Sequence, residues 1–195
     1  TPVGTCTTDL FNTYVSSQPL SATQSASFNG IQLQPAGQGT WVNTYLYEHE
    51  YLRNTPHTIT SEHGVISNAF QTIEGFDSIN PYTLLWVDPS YAFEPVISKS
   101  GTNFSWSPVL PGDQFEVIIA VYSPDGSQFL GAVSCMQQDA GSIMIPGNYF
   151  TTYPYWSLAA VHFIRHRVTD ASSAELGGRI QTHMQWEVVG TAHVE

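Results

Sequence analysis

Phe115, Val117, Ile119 and Val121 alternate with Glu116, Ile118, Ala120 and Tyr122, and a second apolar run from Phe129 to Cys135 follows across Ser123-Pro124-Asp125-Gly126. A period of two sends alternate side chains to opposite faces of a strand. Pro at the second turn position presets φ, and Gly at the fourth tolerates the exit geometry, so the two runs read as one β-hairpin. Its apolar face must be covered by a second layer. From residue 26 onward similar short runs recur between Gly, Pro, Asn and Asp, with no convincing amphipathic helix among them. Strands are expected near 26–34, 40–47, 57–61, 64–70, 83–87, 103–106, 114–122, 128–135, 142–145, 156–168 and 179–194. Only 11% of residues are charged, and polarity comes mainly from Ser, Thr, Asn and Gln, which suits strands better than helices. The expected class is all-β, an antiparallel β-sandwich.

Residues 1–25 are rich in Ser, Thr and Gln and read as an irregular N-terminal arm, with a short helix at the apolar cluster Leu10, Phe11, Tyr14 and Val15 as the alternative. Pro81, Pro89 and Pro95, with Tyr82, Trp86, Tyr91 and Phe93 between them, fit a connector or edge strand. The chain thus divides into the arm, a β-rich lobe over 26–95 and a sandwich over 96–195; one continuous domain drawing strands from both halves is the alternative. In the last hairpin, setting Val168 opposite Arg179 brings Phe163 to Met184 and Val161 to Trp186 on one apolar face. His162, Ile164 and His166 then lie on the other face, opposite Gln185, His183 and Gln181.

Sixteen acidic residues against five basic ones give a net charge of −11. Phosphate backbones and anionic lipid headgroups are bound by clustered Lys and Arg, which this chain lacks, so nucleic acid is excluded as a partner. Cations, neutral glycans and other proteins stay open. The chain begins at Thr1 and holds no apolar run long enough to span a bilayer, as expected of a processed, soluble chain. Val3-Gly4-Thr5 ahead of Cys6 fits a lipoprotein cleavage box poorly. Cys6 and Cys135 have neither metal-site nor redox-motif spacing and read as one structural bridge of an exported protein, with two buried free thiols as the alternative. A loop this long is worth about 5 kcal/mol in the chain-entropy account.

Gly64 through Phe70, the pentapeptide Phe104-Ser105-Trp106-Ser107-Pro108, and Cys135 followed by Gln138-Asp139-Ala140-Gly141-Ser142 and Ile145-Pro146 form a further pattern. Together they resemble bacterial secreted proteins and lipoproteins with immunoglobulin or fibronectin type III-like sandwich modules, over roughly residues 57–195. The resemblance implies a sandwich and export to the periplasm, the cell surface or the medium; it carries no activity or catalytic residues.

In the register above, His162, His166 and His183 share one face, with Glu187 further along the row. Positions four apart on a strand are about 13 Å from each other, too far to share an ion, whereas His183 sits diagonally between the other two histidines. These four are the candidate ligands for a divalent cation; the plainer reading is a solvent-facing polar row that titrates near neutral pH. Glu48, His49, Glu50, His57, Glu62 and His63 form a second mixed group whose spacing matches no metalloenzyme motif. Asp139 offers a carboxylate to calcium, although turn formation with Gly141 explains it more simply. No Gly-x-Ser-x-Gly elbow, reactive cysteine or phosphate-cradling loop occurs.

The expectation is a non-enzymatic exported module, structural or binding, with protein partners or self-association, including a self-assembling subunit whose arm lends a strand to a neighbour. Two alternatives stand beside it. One is a glycan- or small-ligand-binding protein using Tyr45, Tyr47, Tyr82, Trp86, Tyr153, Tyr155 and Trp156 as stacking platforms. The other is a metal-binding protein or enzyme built on the His and carboxylate clusters.

Overall fold

The computed structural model describes residues 3–8, 25–37, 40–42, 56–61, 64–71, 73–81, 95–173 and 178–195. The described residues are all-β, with no α-helix and a single 3-10 turn at Gly147–Tyr149. No helix among them is long and apolar enough to cross a membrane. The chain divides into two compact units, one of Thr1–Thr13, Gly75–His166 and Gln185–Glu195, the other of Tyr14–Glu74 and Arg167–Met184.

The second unit holds a four-stranded antiparallel sheet in the order β3-β2-β6-β7, from β2 (Ala26–Phe28), β3 (Ile31–Gln32), β6 (Pro56–Ser61) and β7 (Gly64–Gln71). A small ribbon pairs β4 (Gln34–Gly37) with β5 (Thr40–Val42). One strand over 26–34 was expected, but Asn29 and Gly30 take φ of 51° and 82° and turn the chain back, pairing Phe28 with Ile31. Positive φ at two consecutive residues is what a two-residue hairpin turn requires, and Asn-Gly supplies it at little cost. The expected strand at 83–87 lies outside the described residues.

A six-stranded sheet in the order β1-β12-β11-β14-β15-β9 frames the first unit, to which β14 belongs as far as His166 and β15 from Gln185 onward. Its strands are β1 (Thr5–Thr7), β9 (Val96–Ile97), β11 (Gln114–Tyr122), β12 (Phe129–Gln138), β14 (Ser157–Ser173) and β15 (Gly178–Val194). The β11–β12 hairpin forms as the alternation predicts, with Val117 opposite Cys135 and Ile119 opposite Val133. Asp125 fastens its turn by accepting hydrogen bonds from Ser123 Oγ, Ser127 N and Ser127 Oγ, and these bonds pull its carboxyl down to about 2. The sheet is mixed, not purely antiparallel: β9 runs parallel to β15, with Val96 beside His193. Thr5–Thr7, within the segment read as an irregular arm, form a strand at the sheet edge.

A three-stranded sheet, β13-β10-β8, supplies the second layer that the apolar face of β11 demands; its strands are β8 (Ser78–Asn80), β10 (Thr102–Ser107) and β13 (Ser142–Ile145). Phe115, Val117, Ile119 and Val121 are fully buried, while their neighbours on β11 are not. Trp106 from β10 stacks on Phe115 at 3.6 Å, and Phe104 meets Phe163 edge-on at 5.1 Å. These interlocking aromatics, with Ile79, Ile97, Ile143 and Ile145, make one core between the two sheets. Cys6 and Cys135 lie directly opposite each other across β1 and β12, and their sulfurs are bonded at 2.03 Å. Cross-strand partners face the same side of a sheet, so the bridge joins the core side with Val117.

Candidate functional site

The expected metal ligands are distributed over separate contacts. His162 Nδ1 lies 2.5 Å from Glu187 Oε1, and both side chains are partly exposed. His166, further along β14, is buried and contacts Glu116 Oε2 through Nε2 at 3.0 Å. Gln185 Nε2 lies 3.2 Å from His166 Nδ1. Since a carboxylate only accepts, Nε2 is the donor to Glu116. His183 is exposed. Among the described residues no three His, Cys, Asp or Glu side chains are grouped to hold a metal ion. The contacts of His162 with Glu187 and of His166 with Gln185 lie further toward the C-terminus of β15 than the sequence register places them.

Glu116 also accepts from Ser134 Oγ at 2.5 Å. Burial pushes its carboxyl up, but the hydrogen bonds from His166 and Ser134, together with the attraction of His166, outweigh burial and hold it below the usual carboxylate value. Ser134, Glu116, His166 and Gln185 thus form a chain of satisfied groups across β12, β11, β14 and β15. Ser134 donates to the carboxylate, so this is not a nucleophile activated by a histidine.

Asp139, weighed as a calcium ligand or a turn former, is a core anchor. Its Oδ2 accepts from Arg165 Nε at 3.0 Å and from Leu110 N at 3.1 Å; its Oδ1 accepts from Trp106 Nε1 at 2.7 Å and Gly141 N at 3.3 Å. Arg165 also donates from Nη1 to the Gly75 carbonyl and from Nη2 to the Pro108 carbonyl, and lies 4.4 Å from the Phe76 ring centroid. The sequence held a signal for this pair: Arg165 falls in phase with Val161 and Phe163, and a cation on an apolar face needs a carboxylate.

The exposed chemistry is on the connection from β13 to β14. Past the 3-10 turn, Phe150 is buried, whereas Tyr155 and Trp156 are 65% and 59% exposed. Trp156 holds φ of 62°, a left-handed conformation that costs a bulky L-residue about 1–2 kcal/mol. The turn is fixed in place: Trp156 N donates to Val194 O at 2.8 Å, and Ser157 Oγ to Pro154 O at 2.8 Å. The Trp156 ring meets His193 edge-on at 5.5 Å. Lys99, between β9 and β10, places Nζ 3.8 Å from the centroid of the Tyr155 ring and donates to Tyr153 O at 2.7 Å. A Cβ on Gly147 would lie 2.1 Å from Lys99 O, so only glycine lets the two backbones approach. Tyr153 is more sheltered, and burial pushes its phenol up.

Of the aromatics expected as platforms, Tyr155 and Trp156 are displayed, while Tyr45, Tyr47, Tyr82 and Trp86 lie outside the described residues, as do Glu48, His49, Glu50, Glu62 and His63. For His57 the structure describes the backbone pairing with Phe70. Lys99 lies distant in sequence from the aromatics it touches, and no local pattern marks it. Comparison with known proteins finds no match: no family model, no curated protein and no solved structure aligns with the chain.

Proposed function

We propose that this chain is an exported, non-enzymatic binding module with an immunoglobulin or fibronectin type III-like sandwich, and that it binds saccharide through Tyr155 and Trp156. The observation that carries the reading is Trp156, a large apolar side chain displayed to solvent from a backbone conformation that disfavours it. Such strain persists only where its surroundings enforce it, and it concentrates at ligand sites. Sugar rings present apolar C–H faces that stack on displayed aromatic rings such as these. The disulfide is consistent with an oxidising compartment, where such ligands are met. The buried His166 and Ser134 and the partly buried Glu116 are committed to one another, which favours binding over catalysis.

A saccharide array followed by calorimetric titration tests the reading. Binding that falls about tenfold or more in Trp156→Ala, with the fold intact by circular dichroism, is the expected result. A broad array without a single hit rejects it.

A second reading, self-association by strand addition, is favoured by one observation. Among the described residues β1 pairs only with Ser134, Cys135 and Met136 of the ten-residue β12, which leaves backbone donors and acceptors along that edge. Light scattering after size exclusion decides it: a monomer at every concentration rejects self-assembly.

A further inference from the structure

The cation at this site bears on which saccharide it takes. Of the chain's five basic residues, Arg165 is consumed in the core, while Lys99 is partly exposed and stands against the displayed ring of Tyr155. Its backbone is pinned by donation from Lys99 N to Glu195 O at 2.7 Å and by close contact with Gly147, and its ammonium is held by the Tyr153 carbonyl. An ammonium carries three donors, and that carbonyl takes one. Donor capacity therefore remains beside Tyr155, a residue that is 65% exposed. A neutral sugar stacked on aromatics has no need of a fixed cation there.

We propose that the Tyr155 and Trp156 site takes a carboxylated saccharide of the uronic acid class, and that Lys99 is the specificity-determining residue that receives the carboxylate. The inference rests on the saccharide-binding reading above and names its ligand class. The net charge of −11 opposes anions at long range. Yet exposed charges are screened beyond about 8 Å at physiological ionic strength. A carboxylate within hydrogen-bond reach of Nζ is governed by that ammonium, not by the distributed acidic groups. Nζ covers one face of Tyr155, so the Trp156 ring serves the sugar and Lys99 its acid, which divides affinity and selectivity between two side chains.

The test uses the full chain and a matched pair of probes, a galacturonic acid trisaccharide and its methyl ester, which differ chiefly in charge. By titration calorimetry the unmodified protein is expected to bind the acid at least about tenfold more tightly than the ester. Lys99→Met is expected to remove that preference while keeping ester affinity within about twofold, and Lys99→Arg to retain it. Equal affinities for the two probes in the unmodified protein, or a preference that survives in Lys99→Met, overturns the role of Lys99 and leaves the saccharide reading standing. Binding of neither probe overturns the uronate assignment, and the broad array then decides the saccharide reading separately.

Discussion

Arg165 and Asp139 form an ion pair at 3.0 Å with both side chains sealed from solvent. Removing charges from water is costly, and here the cost is offset because each polar atom of the pair has partners: Asp139 gathers Trp106, Leu110 and Gly141 besides the guanidinium. Breaking such a pair on one side strands a buried charge, so Asp139→Ala and Arg165→Met are each expected to lower stability by about 3–5 kcal/mol in urea titrations. The double variant is expected to lose clearly less than the sum. Additive losses would show that the two groups are not coupled.

Glu116 gives the fold an acid-sensitive element. Its carboxyl is held below its ordinary value in the folded state, so its contribution is fully present above that ordinary value of 4.5 and is lost as pH falls through the lower, folded one. Denaturation midpoints of the wild-type chain and Glu116→Gln, measured from pH 7 down to pH 3, should therefore converge at the acid end. Parallel curves would assign the acid sensitivity elsewhere. Ser134→Ala removes one of the bonds that depress the carboxyl and is expected to shift the acid limb upward in pH.

The bridge between Cys6 and Cys135 holds a three-residue strand against the sheet edge. So little backbone pairing cannot hold β1 alone. Cys6→Ser with Cys135→Ser is expected to cost about 3–5 kcal/mol. Hydrogen exchange should show Thr5–Thr7 opening well before Val117 and Ile119 in the reduced protein. Simultaneous loss of protection in both would show that the bridge supports the whole core.

Trp156 offers a separation of stability from binding. Trp156→Gly relieves the left-handed strain and Trp156→Ala does not, so the glycine variant is expected to be the more stable by about 1 kcal/mol, with neither retaining saccharide affinity. Equal stabilities would mean that the backbone relaxes away from positive φ once the ring is removed.

Gly147→Ala is expected to damage the site and the fold together, because its Cβ would stand 2.1 Å from the Lys99 carbonyl and backbone cannot rotate aside as a side chain does. A loss of about 1–3 kcal/mol with weakened saccharide binding is the expected outcome. Unchanged affinity would show that the Lys99 backbone position does not matter to the site.

The second-half strands were legible because their signal is local. Alternation of Phe115, Val117, Ile119 and Val121 and the chemistry of Ser123-Pro124-Asp125-Gly126 act within a few residues, and the structure places β11 and β12 where they indicate, whereas β14 runs on to Ser173, past the expected end at 168. Asn29-Gly30 is as local a signal, and it divides the run over 26–34 into β2 and β3. The pairing of Cys6 with Cys135 was readable from cysteine count and spacing, and the bond is present.

What the chain determined by itself was therefore which segments are strands and which faces are apolar, since side-chain alternation and turn residues need no distant partner. Tertiary structure decided the rest. A side chain's environment depends on which strand arrives beside it: Asp139 became a core anchor because β14 brought Arg165, and His162 and His166 met different glutamates because they stand apart on one strand. Lys99 met Tyr155 only because the connection from β9 to β10 packs against the connection from β13 to β14. Contacts between residues far apart in sequence are set by packing and register, and no local pattern encodes them.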